Sequence, residues 1–191
     1  MRKPEKEINK VFIERWSPRA MSAELISKEE FFSLIEAAKW APSSKNSQPW
    51  RFLYAFRGSE EWEMFFDLLN DPNKVWATNA AVLVVMLSRK AFEQNDKPSR
   101  LHSFDAGAAW QNLALQGSLN RLAVHAMEGF DHKKARVVLD VPKTFDIEIM
   151  IAIGKQGDRE MIPPHLQERE YPSDRKIINE IAMKGKFGFE Q

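Results

Sequence analysis

The sequence predicts a single α+β domain spanning residues 1–191, and three features carry that expectation. Apolar residues recur with helical periodicity, most clearly at 28–40 and 103–123. A short, continuous, β-branched run, AAVLVVML at 80–87, has the composition of a strand buried on both faces. Helical and strand signals alternate along the chain with no internal repeat and no linker between them.

Each element follows from its punctuation. Ser27 and Glu30 have the spacing of a capping box, and Phe31, Phe32, Leu34, Ile35 and Ala38 supply the apolar face of a helix at 28–40, stopped by Pro42. RFLYAFRG (51–58) reads as a strand ended by Gly58, and SEEWEMFFDLL (59–69) as a helix opened by Ser59. After the buried strand at 80–89, AFEQNDKPSRLH (91–102) is polar and loop-like. It leads into the longest helical pattern, 103–123, where Ala106, Gly107, Ala108 and Ala109 would let another backbone approach closely. HAMEGFD (125–131) predicts a short strand and a glycine turn, and Asp131 can cap a helix that Pro142 ends. FDIEIMIAIGKQG (145–157) predicts a central strand, and the proline-rich tail turns helical after Asp174.

Composition excludes several classes of function. The 28 basic and 27 acidic residues are mixed throughout, giving a net charge of +1, so no basic stripe for nucleic acid is present. Zero cysteines exclude disulfides, thiolate metal sites and cysteine catalysis. The longest apolar run falls far short of the roughly 20 residues that span a bilayer. MRKPEKEINK is charged and lacks the apolar stretch of a signal peptide, so a cytoplasmic protein without a membrane partner is expected. No G-x-G-x-x-G follows a strand, no Walker A loop or G-x-S-x-G elbow occurs, and the four histidines lack metal-ligand spacing.

What remains is a set of arginines and amides in loops. RWSPR (15–19) puts two guanidinium groups and a hydroxyl within five residues, which suits either a phosphate clamp or a solvated basic turn. WAPSSKNSQPW (40–50) is equally open between an ordinary loop and a recognition loop. Asn46 and Gln48 could read the amide and carbonyl edges of a heterocycle, with Trp50 as an apolar wall. Gly129 would let backbone N–H groups approach a flat ligand.

Taken in order, RWSPR, APSSKNSQPW, MEGFD and PSDRK resemble the nitroreductase family of FMN-dependent oxidoreductases, over about residues 12–180. The resemblance implies a central, mostly antiparallel sheet flanked by helices in a two-fold homodimer, with FMN at the subunit interface and 103–123 as the dimer helix. It implies that Arg15, Ser17 and Arg19 hold the phosphate, ribityl chain and pyrimidine edge, with Arg175 completing the phosphate site. Asn46 would bond the flavin ring while Ser43, Ser44 and Gln48 shape the pocket, and Trp16 and Met127 would border the cofactor. Glu128 and Gly129 would offer backbone N–H groups near flavin N5 and O4, the catalytic edge, and no metal is implied. The activity implied is ping-pong transfer from NAD(P)H to a small acceptor such as a nitroaromatic or quinone. Specialised members degrade flavin, reduce enones, dehalogenate tyrosines or oxidise azolines, and a protein that only stores or senses FMN is the alternative outside enzymology. The chain departs from the family pattern at Trp16, at Ser173 (where close relatives have lysine), in GSLNRLAVH, which lacks a G-L-G turn, and in a short 91–102 loop, which implies an open pocket.

Overall fold

Four antiparallel strands form the middle layer of the computed structural model, which describes residues 2–189. They are β1 (Trp50–Phe56), β2 (Val82–Arg89), β3 (Leu122–Met127) and β4 (Phe145–Lys155), in the spatial order β1-β2-β4-β3. Around them lie α1 (Val11–Glu14), α2 (Lys28–Lys39), α3 (Trp62–Phe66), α4 (Asp71–Ala77), α5 (His102–Leu119), α6 (His132–Val138), α7 (Pro164–Gln167) and α8 (Ile178–Ile181). This is the helix-flanked antiparallel sheet that the sequence implied.

The apolar run of β2 is continuous because successive side chains enter two different cores. Val82, Val84 and Met86, with Ile151 and Ile153 of β4, pack against Phe31 and Leu34 of α2 and Ala109 and Leu113 of α5. Leu83, Val85 and Leu87, with Met150 and Ala152, pack on the opposite face against Phe65 of α3, Trp76 of α4 and Ala135 of α6. The expected capping box is present: Ser27 Oγ accepts from Glu30 N–H at 3.0 Å and Glu30 Oε2 accepts from Ser27 N–H at 2.8 Å. Asp131 likewise caps α6 through Lys134 N–H at 2.9 Å.

Three expectations need correction. The long helix stops at Leu119 rather than 123. Asn120 closes it, Arg121 takes a left-handed φ of 58°, and Leu122–Val124 already pair with Ile153–Lys155 as the start of β3. The segment 59–69 is not one helix. α3 is a short helix, because Leu69 leaves it to bridge Phe130, and α4 follows with Pro72 in its first turn, a start signal the sequence reading passed over. The helix expected after Asp174 is reduced to the single exposed turn α8, which has no buried face to stabilise more.

Gly117 shows how tightly α5 sits on the sheet. A Cβ there would lie 2.4 Å from Val124 Cγ2. In a free helix Gly→Ala stabilises by about 1 kcal/mol. Here the clash with a stiff, buried valine reverses the sign, and Gly117→Ala should destabilise by about 1 to 3 kcal/mol. Denaturant unfolding of the variant measures this, and an unchanged or raised midpoint would show that α5 shifts freely on β3.

Candidate functional site

The cleft that gathers five of the twelve expected site residues lies beside the edge strand β3. Residues 17–22 run past that edge, and β4 holds them there. Gly157 N–H donates to Ala20 C=O and Ser22 N–H to Lys155 C=O, both at 3.0 Å. The crossing is close: a Cβ on Gly157 would lie 2.8 Å from the Met21 carbonyl carbon. Glu170, arriving from beyond α7, fixes the same stretch by accepting the N–H groups of Arg19 at 2.7 Å and Ala20 at 2.9 Å.

The result is a cleft of about 440 Å³ lined by five arginines (Arg2, Arg15, Arg19, Arg169 and Arg175) with Trp16, Ser17, His125, Tyr171 and Ser173. Arg15 Nη1 donates to Ser17 Oγ at 3.3 Å. Burial, and then the guanidinium groups of Arg175 and Arg2, hold Arg15 below its ordinary pKa. Glu170 approaches Arg19 at 3.8 Å and offsets part of its charge, but no acidic side chain lines the cleft beside its five arginines. A group of guanidinium donors with this little compensation fits a doubly charged, oxygen-rich anion.

His125 stands on β3 within this cationic wall. Its Nδ1 lies 3.2 Å from the Pro18 carbonyl, which can only accept, so Nδ1 carries the proton and Nε2 is left as an acceptor. The ring packs on Trp76 with centroids 4.7 Å apart. Burial, then the charge of Arg19, pushes its pKa down to about 4, against an opposing hydrogen bond to Pro18, so the imidazole is neutral at pH 7.

Arg15, Trp16, Ser17, Arg19 and Arg175 therefore meet in one place, as expected. Arg2, His125, Arg169 and Tyr171 join them without having been read from the sequence. Arg2 sits in a charged arm that resembles a solvated tail, and a lone histidine in a strand gives no local signal. The other expected residues lie elsewhere. Met127 is buried in the core, and Glu128 and Gly129 follow it outside the cleft lining. A Cβ on Gly129 would meet Asn70 Nδ2 at 2.5 Å and Asn73 Nδ2 at 2.7 Å, so packing by these asparagines already requires glycine there.

Ser43, Ser44, Asn46 and Gln48 form a separate loop between α2 and β1. The buried Asp105 of α5 anchors it by accepting Ser44 N–H at 3.0 Å, and Ser43 Oγ accepts Gln48 N–H at 3.0 Å. Lys45, Asn46 and Gln48 all take left-handed φ values, of 53°, 53° and 46°, which costs non-glycine residues energy. Asn46 and Gln48 are exposed, whereas Trp50 is buried in the core beneath α2 and α5 and is no wall for a ligand.

One further cluster invites a hydrolase reading and does not support it. Ser88 Oγ lies 2.7 Å from His102 Nδ1 and also hydrogen-bonds the Glu148 carboxylate. A carboxylate only accepts, so Ser88 donates its single proton to Glu148 and the imidazole must donate to Ser88. That polarity is opposite to nucleophile activation. Among the described residues no group of histidine and carboxylate side chains is arranged to hold a metal, and no helix is long and apolar enough to cross a membrane.

Fold and cleft together define an α+β protein with a cationic cleft at one sheet edge, and known proteins share its fold. The nitroreductase family model matches residues 13–71. A crystal structure of an oxidoreductase containing FMN is 41% identical and superposes with a TM-score of 0.95, covering 99% of this chain and 97% of its own. A nitroreductase family protein from Streptococcus pneumoniae TIGR4, 20% identical, shares the fold with a TM-score of 0.74 over 92% of this chain and 98% of its own. A Streptococcus pyogenes serotype M6 protein, provisionally named an NAD(P)H nitroreductase, is 24% identical over 92% of this chain and 96% of its own length. The chain belongs to the nitroreductase family of oxidoreductases.

The neutral His125 has a measurable consequence. Its folded pKa lies below the ordinary value of 6.5, so the unfolded chain binds its proton first as pH falls. Stability contributed by the neutral ring is therefore present above about pH 6.5 and is lost as pH falls toward 4. Between pH 7 and pH 5 the ligand-free protein should lose roughly 1 to 2 kcal/mol through this residue. His125→Gln should flatten that part of the profile in denaturant titrations, and equal slopes for both proteins would refute the assignment.

Proposed function

We propose that the cleft holds the phosphate end of non-covalently bound FMN, and that the protein is an FMN-dependent NAD(P)H oxidoreductase. Its acceptors are nitroaromatics, quinones or similarly flat electrophiles. The observation that carries this reading is the convergence of Arg15, Arg19 and Arg175, far apart in sequence, on one cleft with little compensating charge. The chemistry FMN supplies when bound is two-electron transfer, from NAD(P)H to the acceptor in alternating half-reactions of a ping-pong cycle.

The chain's own residues bind and orient. Arg15 and Arg175 meet the phosphate with charge-assisted hydrogen bonds, and Ser17 adds a hydroxyl beside Arg15. Arg19, with its backbone held by Glu170, reaches toward the pyrimidine edge and favours negative charge there. Glu128 and Gly129 present backbone N–H groups at the N5 and O4 edge, and Trp16, which lines the cleft, borders the cofactor, whereas Met127 stays in the core.

The amide-bearing loop completes the site from a second subunit of a two-fold homodimer. Three observations support this. Ser43, Ser44, Asn46 and Gln48 do not line the cleft of their own chain, yet Asn46 and Gln48 are exposed on a strained backbone. A Cβ on Gly107 would meet nothing within 4 Å, so nothing within the chain uses the small residue on the outer face of α5. Phe104, near the start of the same helix, is 76% exposed.

Titrations of FMN and riboflavin test the cofactor assignment. Arg15→Ala and Arg175→Ala should each weaken FMN binding about ten- to a hundredfold, from the loss of about 1.5 to 3 kcal/mol, and leave riboflavin nearly unaffected. Equal weakening of both flavins would mean that the cleft does not bind the phosphate.

The activity is tested on the same preparation. Anaerobic NADH or NADPH should bleach the flavin absorbance, nitrofurazone or menadione should restore it, and light scattering should report a dimer. Bleaching without restoration by any acceptor would favour storage over turnover. A stable FMN-bound monomer would rule out a site shared between subunits.

A further inference from the structure

The segment that carries Arg175 lies between α7 and α8 without regular structure, and the hydrogen bonds described from residues 171–178 to the rest of the fold are made to the N-terminal arm. Arg2 Nε donates to the Ser173 carbonyl at 2.8 Å, while its Nη1 donates to the carbonyls of Ile13 at 2.7 Å and Arg15 at 2.9 Å. Three residues on, Glu5 Oε1 accepts the Ile178 N–H at 2.7 Å. Arg175 folds back on its own segment, with Nη1 on the Ser173 carbonyl and hydroxyl, each at 3.1 Å, and on the Asp174 carbonyl at 2.8 Å. Ser173 is thus the point where both arginines meet. Arg2 is half-buried although residues 3–10 are all exposed, so it is not a solvated tail residue.

We infer that Arg2 is a positioning residue that assembles the phosphate anchor, clamping the segment bearing Arg175 against the segment bearing Arg15. Nε bonds the Ser173 carbonyl while Nη1 bonds those of Ile13 and Arg15, so the clamp uses two separated donor nitrogens of one rigid plane, which a guanidinium has and an ammonium lacks. The arrangement also places a third positive charge beside Arg15 and Arg175. Burial and the Arg175 charge lower the Arg2 pKa, with Asp174 offsetting part of the effect. Cations held this close gain from an anion entering between them. The inference rests on the FMN reading of the cleft, since it concerns how that site is built.

The test uses the full-length chain with FMN and riboflavin as probes, in Arg2→Ala, Arg2→Lys, Arg175→Ala and the Arg2→Ala/Arg175→Ala double variant. Arg2→Ala should weaken FMN about tenfold or more and change riboflavin less than about twofold. Arg2→Lys, which keeps the charge, should recover little of the loss. The double variant should bind FMN about as poorly as Arg175→Ala alone, because Arg2 acts through Arg175. Full rescue by lysine, or strictly additive losses, would overturn positioning in favour of simple charge. Unchanged FMN binding in Arg2→Ala, alongside a loss in Arg175→Ala, would overturn the inference and leave the cofactor assignment standing. A wild type that binds both flavins equally would overturn the cofactor assignment itself. If the alanine variant does not fold, Arg2→Lys decides alone, since it keeps the charge and an alkyl stem while losing the fork.

Discussion

Everything else in the molecule hangs on the ladder between β2 and β4, two antiparallel strands buried on both faces. Where both faces are dry, over 82–88 of β2 and 150–154 of β4, their peptide groups must pair with each other and with the edge strands β1 and β3. Their side chains must alternate between two apolar layers, so helices are required on both sides. α2 and α5 cover one face, and α3, α4 and α6 cover the other. Function is left to the periphery: the edge of β3, the ends of α5 and the two chain termini.

At the β3 edge a second constraint takes over, which is charge. Residues 20–22 cross the chain just beyond β4, at Gly157, so closely that no side chain fits, and the buried carboxylate of Glu170 spends one oxygen on backbone N–H groups. Hydrogen bonds and backbone contact hold this segment, and the Glu170 carboxylate faces only Arg19 among the five arginines of the cleft. The cleft stays cationic for that reason. His125 belongs to the same logic. A protonated imidazole would add repulsion among guanidinium groups, and burial together with the charge of Arg19 keeps it neutral, while the Pro18 carbonyl fixes which nitrogen carries the proton. A ligand phosphate relieves the arginine repulsion only in the folded state, so binding and stability are linked.

Much of this was legible in the sequence, and the limits have physical causes. β2 and β4 announced themselves because two-sided burial leaves a continuous apolar run, and α2 because its capping box is local. The end of α5 was misread because Leu122, Ala123 and Val124 extend its apolar pattern. Only the left-handed Arg121 and the pairing with β4 break the helix, and neither is a local signal. α4 was missed because its stability comes from burying Trp76, with its first-turn proline as the main local cue. Of the residues lining the cleft, Arg15, Ser17, Arg19 and Arg175 were indicated by motif resemblance. Arg2 and His125 were not, because their meaning lies in contacts more than a hundred residues away: Ser173 for one and Pro18 for the other.

On the proposed reading, the loop at 43–48 is the second half of the site, and it is built differently from the cleft. Its four site residues lie outside the cleft, yet its conformation is held as deliberately. Asp105 is a buried charge that accepts the Ser44 N–H, and three non-glycine residues are kept in left-handed conformations nearby. Such strain persists only where the surroundings over-determine it. A loop that merely joined α2 to β1 would relax into a cheaper turn. Here the strain displays two side-chain amides outward, and among the described residues their one hydrogen bond runs from Gln48 Nε2 to the Asn46 carbonyl, at 3.2 Å. The cleft offers charge without ring-reading amides, and the loop offers amides without charge. A molecule with a phosphate at one end and a hydrogen-bonding heterocycle at the other needs both, and a two-fold pairing of chains is the simplest way to bring one chain's cleft to another chain's loop.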